Sequence, residues 1–210
     1  MPGLFISFEG GEGTGKSSHA RDLAESLRQA GKNVLLTREP GGSPSAEEVR
    51  ALLVTGHVGR WSADAEALLN YAARDSHLRE AIRPALARGD LVLCDRFMDS
   101  SRAYQGFAGG GDLRLIDMLE RTIVGETRPK LTLVLDVDPE LGLARAKGRG
   151  ASTEDRFEKK GLEFHRKLRE AFLDIAAGEP GRCRVIDSSR AYEVVSEDIR
   201  RAVAEVVEVA

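Results

Sequence analysis

Two hydrophobic rhythms alternate along this chain. Short apolar runs, "LFISF" (4–8), "NVLL" (33–36), "LVLC" (91–94), "LTLVLDV" (131–137) and "CRVID" (183–187), have the length and apolar character of buried strands. Between them, apolar residues recur every three or four positions. Ala20, Leu23, Ala24 and Leu27 form one stripe, Phe164, Leu168, Phe172 and Ile175 a second, and Val195, Ile199, Val203 and Val206 a third. Each stripe is the core-facing side of a helix and carries no chemistry. Five strands separated by helices predict an α/β fold, a parallel sheet with helices on both faces. The first helix is expected to start in a glycine loop after the first strand and to stop near Gly31.

Two segments break the alternation. "REPGGSPSAEE" (38–48) reads as a Gly/Pro/Ser-rich turn after the second strand. "KGRGASTEDRFEKKG" (147–161) is charged and glycine-punctuated, and reads as a short flap or lid. In open α/β sheets ligands bind beyond the carboxyl ends of the strands, where the first interruption falls. Neither segment has the composition of a linker, so a single domain over 1–210 is expected.

Composition changes the picture little. With 31 Lys and Arg against 34 Asp and Glu, the formal net charge is −3. That balance does not suit a protein that coats a nucleic acid polymer or an anionic membrane, so any anion chemistry must come from local arginine clusters. Cys94 and Cys183 each lie in a strand-like run, without metal or redox spacing, and read as buried free thiols. No apolar run approaches the length of a membrane span, and the first strand begins too early for a leader, so a cytoplasmic location is expected.

Chemistry enters at residues 10–17. "GGEGTGKS" matches G-x-x-x-x-G-K-[ST] between a strand and a helix, the context that this phosphate loop requires. Its glycines let backbone N–H groups converge on phosphate oxygens, and the helix N-terminus adds positive potential. Gly10, Gly11, Glu12, Gly13, Thr14, Gly15, Lys16, Ser17 and Ser18 are thus the candidate nucleotide-binding residues. Lys16 reaches for the β- and γ-phosphates and Ser17 for Mg²⁺. Asp95, at the end of the third strand, is the second candidate metal ligand. Asp99 suits a helix cap near Ser100 better. Arg38 and Arg96 stand at strand ends on the edge that bears the phosphate loop, and Arg74 lies on a helix; guanidinium forks suit bidentate phosphate recognition.

With "FEGGEGTGKS", "TREPGG", "YAAR", "DRFMDSSRAYQG", "RPKLTLVLDVDPELGLAR" and "DRFE" in order, the chain resembles the thymidylate kinase family over nearly its whole length. The resemblance implies the P-loop nucleoside monophosphate kinase fold with a five-stranded parallel sheet, ATP and dTMP as substrates, Mg²⁺ as cofactor, and a homodimer packed through helices. It further implies that Arg38, Arg74 and Arg96 surround the acceptor phosphate or base, with Arg74 near a thymine carbonyl. Ser101, Tyr104 and Gln105 fall where that family reads base and sugar, Tyr104 crowding the deoxyribose. Glu12, an odd carboxylate in a phosphate cradle, matches one that faces the acceptor sugar. The family commonly places a base-stacking phenylalanine four residues before the "YAAR" arginine. Here that position is Asn70, so either Tyr71 or another aromatic covers the base, or Asn70 bonds its edge.

An acceptor phosphate ester with a second pKa of about 6 is mostly dianionic at neutral pH, so in-line transfer needs no catalytic base. It needs cations. Lys16 and Arg96 are the expected catalytic residues; the loop itself holds no further basic residue, and the flap resembles that of the family's bacterial type, whose lid arginine closes over the donor, which implies that Arg149 or Arg156 supplies the missing cation, Arg156 first. A different nucleoside or deoxynucleoside monophosphate kinase is the first alternative, with Glu9 as a base toward a hydroxyl acceptor. A GTPase-like switch is a second, but it needs an [NT]-K-x-D guanine-reading stretch that the sequence lacks.

Overall fold

The structure, a computed structural model, describes residues 3–148 and 156–207. Five strands, β1 (Leu4–Glu9), β2 (Val34–Arg38), β3 (Leu91–Asp95), β4 (Leu131–Asp136) and β5 (Cys183–Asp187), form one parallel sheet in the order β2-β3-β1-β4-β5. All five expected apolar runs became strands. β1 sits at the centre and is buried along its length, whereas β2 and β5 lie at the edges and are partly exposed.

Strand alternation divides the core by face. On one face, Leu4, Ile6 and Phe8 of β1 pack with Leu91 and Leu93 of β3. They are covered by α1 (Lys16–Gln29) and α9 (Tyr192–Val207) through Ala20, Leu23, Val195, Ile199 and Val203. On the other, Phe5, Val92 and Cys94 meet α3 (Ala63–His77), while Val134 and Cys183 meet α8 (Leu162–Gly178) through Leu168, Phe172 and Ile175. Both cysteines are buried and free.

The expected turn at 38–48 is shorter than its composition implied, because α2 (Pro44–Val54) starts inside it. Pro44 occupies the first helical turn, where a missing N–H costs nothing. Helix α3 runs on through a π-helical stretch, Leu78–Ile82, into α4 (Arg83–Ala87). Past β3, the short α5 (Met98–Ser101) passes into a second π-helical stretch, Arg102–Phe107, followed by α6 (Leu113–Leu119). After β4 comes α7 (Pro139–Lys147). Register aligns the functional edge: Phe8 and Arg38 both pair with Asp95, so the carboxyl ends of β1, β2 and β3 open together.

Candidate active site

The loop from Gly10 to Gly15 is shaped by close backbone approach. At Gly13, φ is +67° and a Cβ would lie 1.9 Å from the carbonyl oxygen of Gly142 in α7; at Gly10, φ is +130° and the clash would be with Leu135 O at 2.3 Å. Only glycine fits either place. Gly15 caps α1, which starts at Lys16, so the lysine, Ser17 and Ser18 occupy the positive end of a helix. Lys16 Nζ donates to Gly11 O at 2.6 Å and to Thr14 Oγ1 at 3.2 Å, folding back over the loop that would cradle phosphates. Burial and the neighbouring Arg96 lower its pKa to about 8, against the pull of Glu12 and Asp95. Ser17 Oγ donates to Asp95 Oδ2, which places two hard oxygen donors side by side.

Next to the loop is a cleft of about 240 Å³ whose lining includes Glu12, Lys16, Ser17, Arg38, Arg74 and Arg96. Arg96 has φ +70°, the one non-glycine in the left-handed region among the described residues. Strain of that kind persists where surrounding contacts fix it. Here Arg96 Nη1 donates to Gly10 O at 2.8 Å, Nη2 donates to Glu12 Oε1 at 2.9 Å, and the guanidinium lies 4.9 Å from the Tyr104 ring centroid. The Tyr104 hydroxyl donates to the same Glu12 oxygen at 2.7 Å. Glu12 thus turns away from the cradle and toward Arg96 and Tyr104. Burial opposes its ionisation, but Arg96, Lys16 and the Tyr104 hydroxyl bring its pKa down to about 2.

Arg74 is almost fully buried beneath the cleft. Its Nε donates to Glu39 Oε2 at 2.7 Å, Nη1 to Ser101 Oγ at 3.1 Å and Nη2 to Phe97 O at 2.9 Å. His77 Nδ1 lies 3.0 Å from the other Glu39 oxygen and its Nε2 lies 2.7 Å from Thr37 Oγ1, so a chain of polar groups fixes the arginine. Arg38 is half-exposed and carries a two-pronged bond to Glu47 at 3.1 and 3.2 Å. Gln105 also lines the cleft, presented with Tyr104 by the second π-helical stretch; such bulges are frequent at functional sites.

Several expectations are placed differently. Arg156 does not line the cleft: its side chain is wholly buried, donating to the carbonyls of Leu53, His57 and Val58 and to Glu66 Oε1. A guanidinium spent on four acceptors has little left for a phosphate in this arrangement. Arg149 lies outside the described residues. Tyr71 is fully buried under Arg74, 4.5 Å from its guanidinium, and covers no base. Asn70 lines the cleft, but its Nδ2 donates to Glu66 O at 2.8 Å. Asp99 is no helix cap; it is fully buried in a fork with Arg182 at 2.7 and 3.0 Å.

The start of α5 is instead held by Glu9, which accepts from Phe97 N at 2.8 Å and from Ser100 N and Oγ at 3.3 and 2.6 Å. Burial and nearby Asp99 raise its pKa to about 8, outweighing those bonds and Arg96. Fully buried, it is not exposed as a base toward a hydroxyl acceptor. Glu39, Glu66 and Phe157 are participants to which sequence reasoning gave no role; Glu39 and Phe157 lie inside "TREPGG" and "DRFE", strings already singled out, whereas Glu66 lies in none.

Comparison with known proteins agrees along the chain. The thymidylate kinase family model matches residues 8–199. Thymidylate kinase of Caulobacter vibrioides is 54% identical over 203 residues, 97% of each chain. That of Rhodopseudomonas palustris is 53% identical over 206 residues, 97% of this chain and 89% of the relative. The crystal structure of thymidylate kinase from Ehrlichia chaffeensis superposes with a TM-score of 0.79 at 33% identity, covering 97% of this chain and all of that one.

Proposed function

Because the chain belongs to the thymidylate kinase family, we propose that it transfers the γ-phosphoryl group of ATP to the 5′-phosphate of dTMP. One observation supports this most directly: the phosphate-loop lysine, Lys16, and three arginines, Arg38, Arg74 and Arg96, line a single cleft. Two polyanions can meet there only if fixed cations offset their repulsion.

In this reading Lys16 and the amides of residues 11–18 hold the donor phosphates. Arg38 and Arg96 grip the acceptor phosphate, and Arg74 and Gln105 present N–H groups to the edge of the base. Tyr104, fixed by Glu12, presses on the sugar where a ribose hydroxyl would need space. Glu12 lies between the two substrates and holds Arg96 in line. Lys16 and Arg96 stabilise charge as it spreads over the transferred group, and no residue has to remove a proton.

The family implies a metal ion with the nucleotide, and we take it to be Mg²⁺. Ser17 and Asp95 fit it: Mg²⁺ in phosphate-transfer sites is held by one or two protein oxygens and substrate phosphates rather than by a full protein cage. Among the described residues no cluster of three His, Cys, Asp or Glu forms such a cage. When bound, the ion would neutralise donor phosphate charge.

We also propose that the chain acts as one domain and as a homodimer in the cytoplasm. Leu52, Leu68 and Met118 are large apolar side chains exposed on α2, α3 and α6, a surface that suits a second copy. No described helix is long and apolar enough to cross a membrane. Sedimentation tests the dimer. Steady-state assays with thymidine, dTMP and the uracil, cytosine and guanine monophosphates test the reaction; transfer only to unphosphorylated thymidine would overturn it.

A further inference from the structure

We infer that Phe157 forms the aromatic wall of the acceptor-base pocket, set there by the buried ion pair between Arg156 and Glu66. The inference rests on the acceptor site proposed above and assigns its specificity to a residue outside α3.

The cleft has few rings to offer a base. Asn70 has none, and its amide is tied to Glu66 O. Phe97 is fully buried, packed edge-on against Phe5 at 4.8 Å, with the Arg74 guanidinium 5.0 Å from its ring centroid. Tyr104 has Arg96 against its ring and its hydroxyl on Glu12. Phe157 remains. It is half-buried, lines the same cleft as Asn70, Arg74 and Gln105, and stands perpendicular to Tyr104 at 5.6 Å. An apolar ring beside polar base-reading groups is what a planar base selects.

Its position is not left to an exposed loop. Arg156, the preceding residue, is buried against three carbonyls at the end of α2 and beyond, where a cation is favoured. The Arg156 guanidinium also donates to Glu66, whose side chain is only 2% exposed. The other Glu66 oxygen accepts from Gln105 Nε2 at 3.2 Å and lies 3.5 Å from Lys160 Nζ. One carboxylate therefore fixes both Gln105, which reads the base edge, and the segment that carries the ring. Glu66 and Arg156 are positioning residues; Phe157 is the contact.

The test is steady-state kinetics on purified Phe157→Ala and Phe157→Leu, the latter keeping apolar packing should the alanine variant fold poorly. The KM for dTMP should rise about tenfold in Phe157→Ala and less in Phe157→Leu, with the KM for ATP unchanged, since base–aromatic contact is worth roughly that factor or more. The inhibition constant of deoxyribose 5-phosphate, which has no base, should not move. Adding Asn70→Phe to Phe157→Ala should restore the KM for dTMP, by supplying a ring from the helix instead. Arg156→Lys should raise the same KM while kcat changes less. An unchanged KM for dTMP in Phe157→Ala, or equal losses for dTMP and deoxyribose 5-phosphate, would overturn the inference while leaving the kinase reading intact. A wild-type protein unable to phosphorylate dTMP would overturn both.

Discussion

Glu12 and Arg96, 84 positions apart in the chain, meet at 2.9 Å with both side chains mostly buried. The contact joins the glycine loop to the end of β3, so a shift of that loop moves Arg96, the cation proposed to face the acceptor. Glu12→Gln keeps the shape but sets an amide against the guanidinium. Loss of a charged hydrogen bond of about 1.5–3 kcal/mol predicts a fall of about tenfold or more in kcat/KM for dTMP, with KM for ATP nearly unchanged. Initial rates with each substrate varied in turn check it.

Lys16 should leave a signature in alkali. Its pKa of about 8 means that the free protein loses this cation as pH rises through that value. Thus kcat/KM for ATP should decline above about pH 8 at fixed free Mg²⁺. Bound phosphates favour the charged amine, so kcat should hold to higher pH. Parallel profiles of the two constants would contradict the assignment.

Glu9 should affect stability in the opposite sense from an ordinary carboxylate. Its folded pKa of about 8 lies above the ordinary carboxylate value of 4.5, so folding takes up a proton between those values. The stability it contributes is complete below pH 4.5 and is lost as pH rises toward 8. Glu9→Gln, which mimics the protonated acid and can still accept from Phe97 N, should remove that decline. Urea denaturation of both proteins at pH 5 and 8 measures the difference, to which the wild type should lose more.

Asp99 and Arg182 form a pair that is structural rather than catalytic. Asp99 is fully buried and Arg182 is 13% exposed on its side chain. Asp99→Ala takes from Arg182 its fully buried partner and leaves it Glu179 at 3.0 Å, so it should cost about 1.5–3 kcal/mol in unfolding free energy. Asp99→Leu combined with Arg182→Met should recover much of that loss, because the desolvation cost leaves with the charges. Chemical denaturation of the single and double variants decides it.

The five strands, the phosphate loop and the helix stripes were legible because each depends on neighbours within a few residues. A period of two or 3.6 places apolar side chains on one face, and a glycine pattern places amides on one anion. Arg38, Asp95 and Arg96 were legible for a related reason: they end strands whose register is set by that pattern. Arg156 and Tyr71 were not, since "DRFE" and "NYAAR" say that a charge and a ring are present but not what lies opposite them. Glu66 gave no signal at all, an acid in an ordinary helix until the chain brings Arg156 and Gln105 to it.

By itself, then, the sequence determined the strands, the order of the elements along the chain and the glycine loop at which phosphates are proposed to bind, all products of local periodicity and backbone freedom. Tertiary structure decided which cations remain directed at the cleft and which are consumed by buried carboxylates and carbonyls. The physical reason is that a buried charge must find its partner, and for Glu12, Glu66 and Asp99 that partner is 84, 90 and 83 residues away.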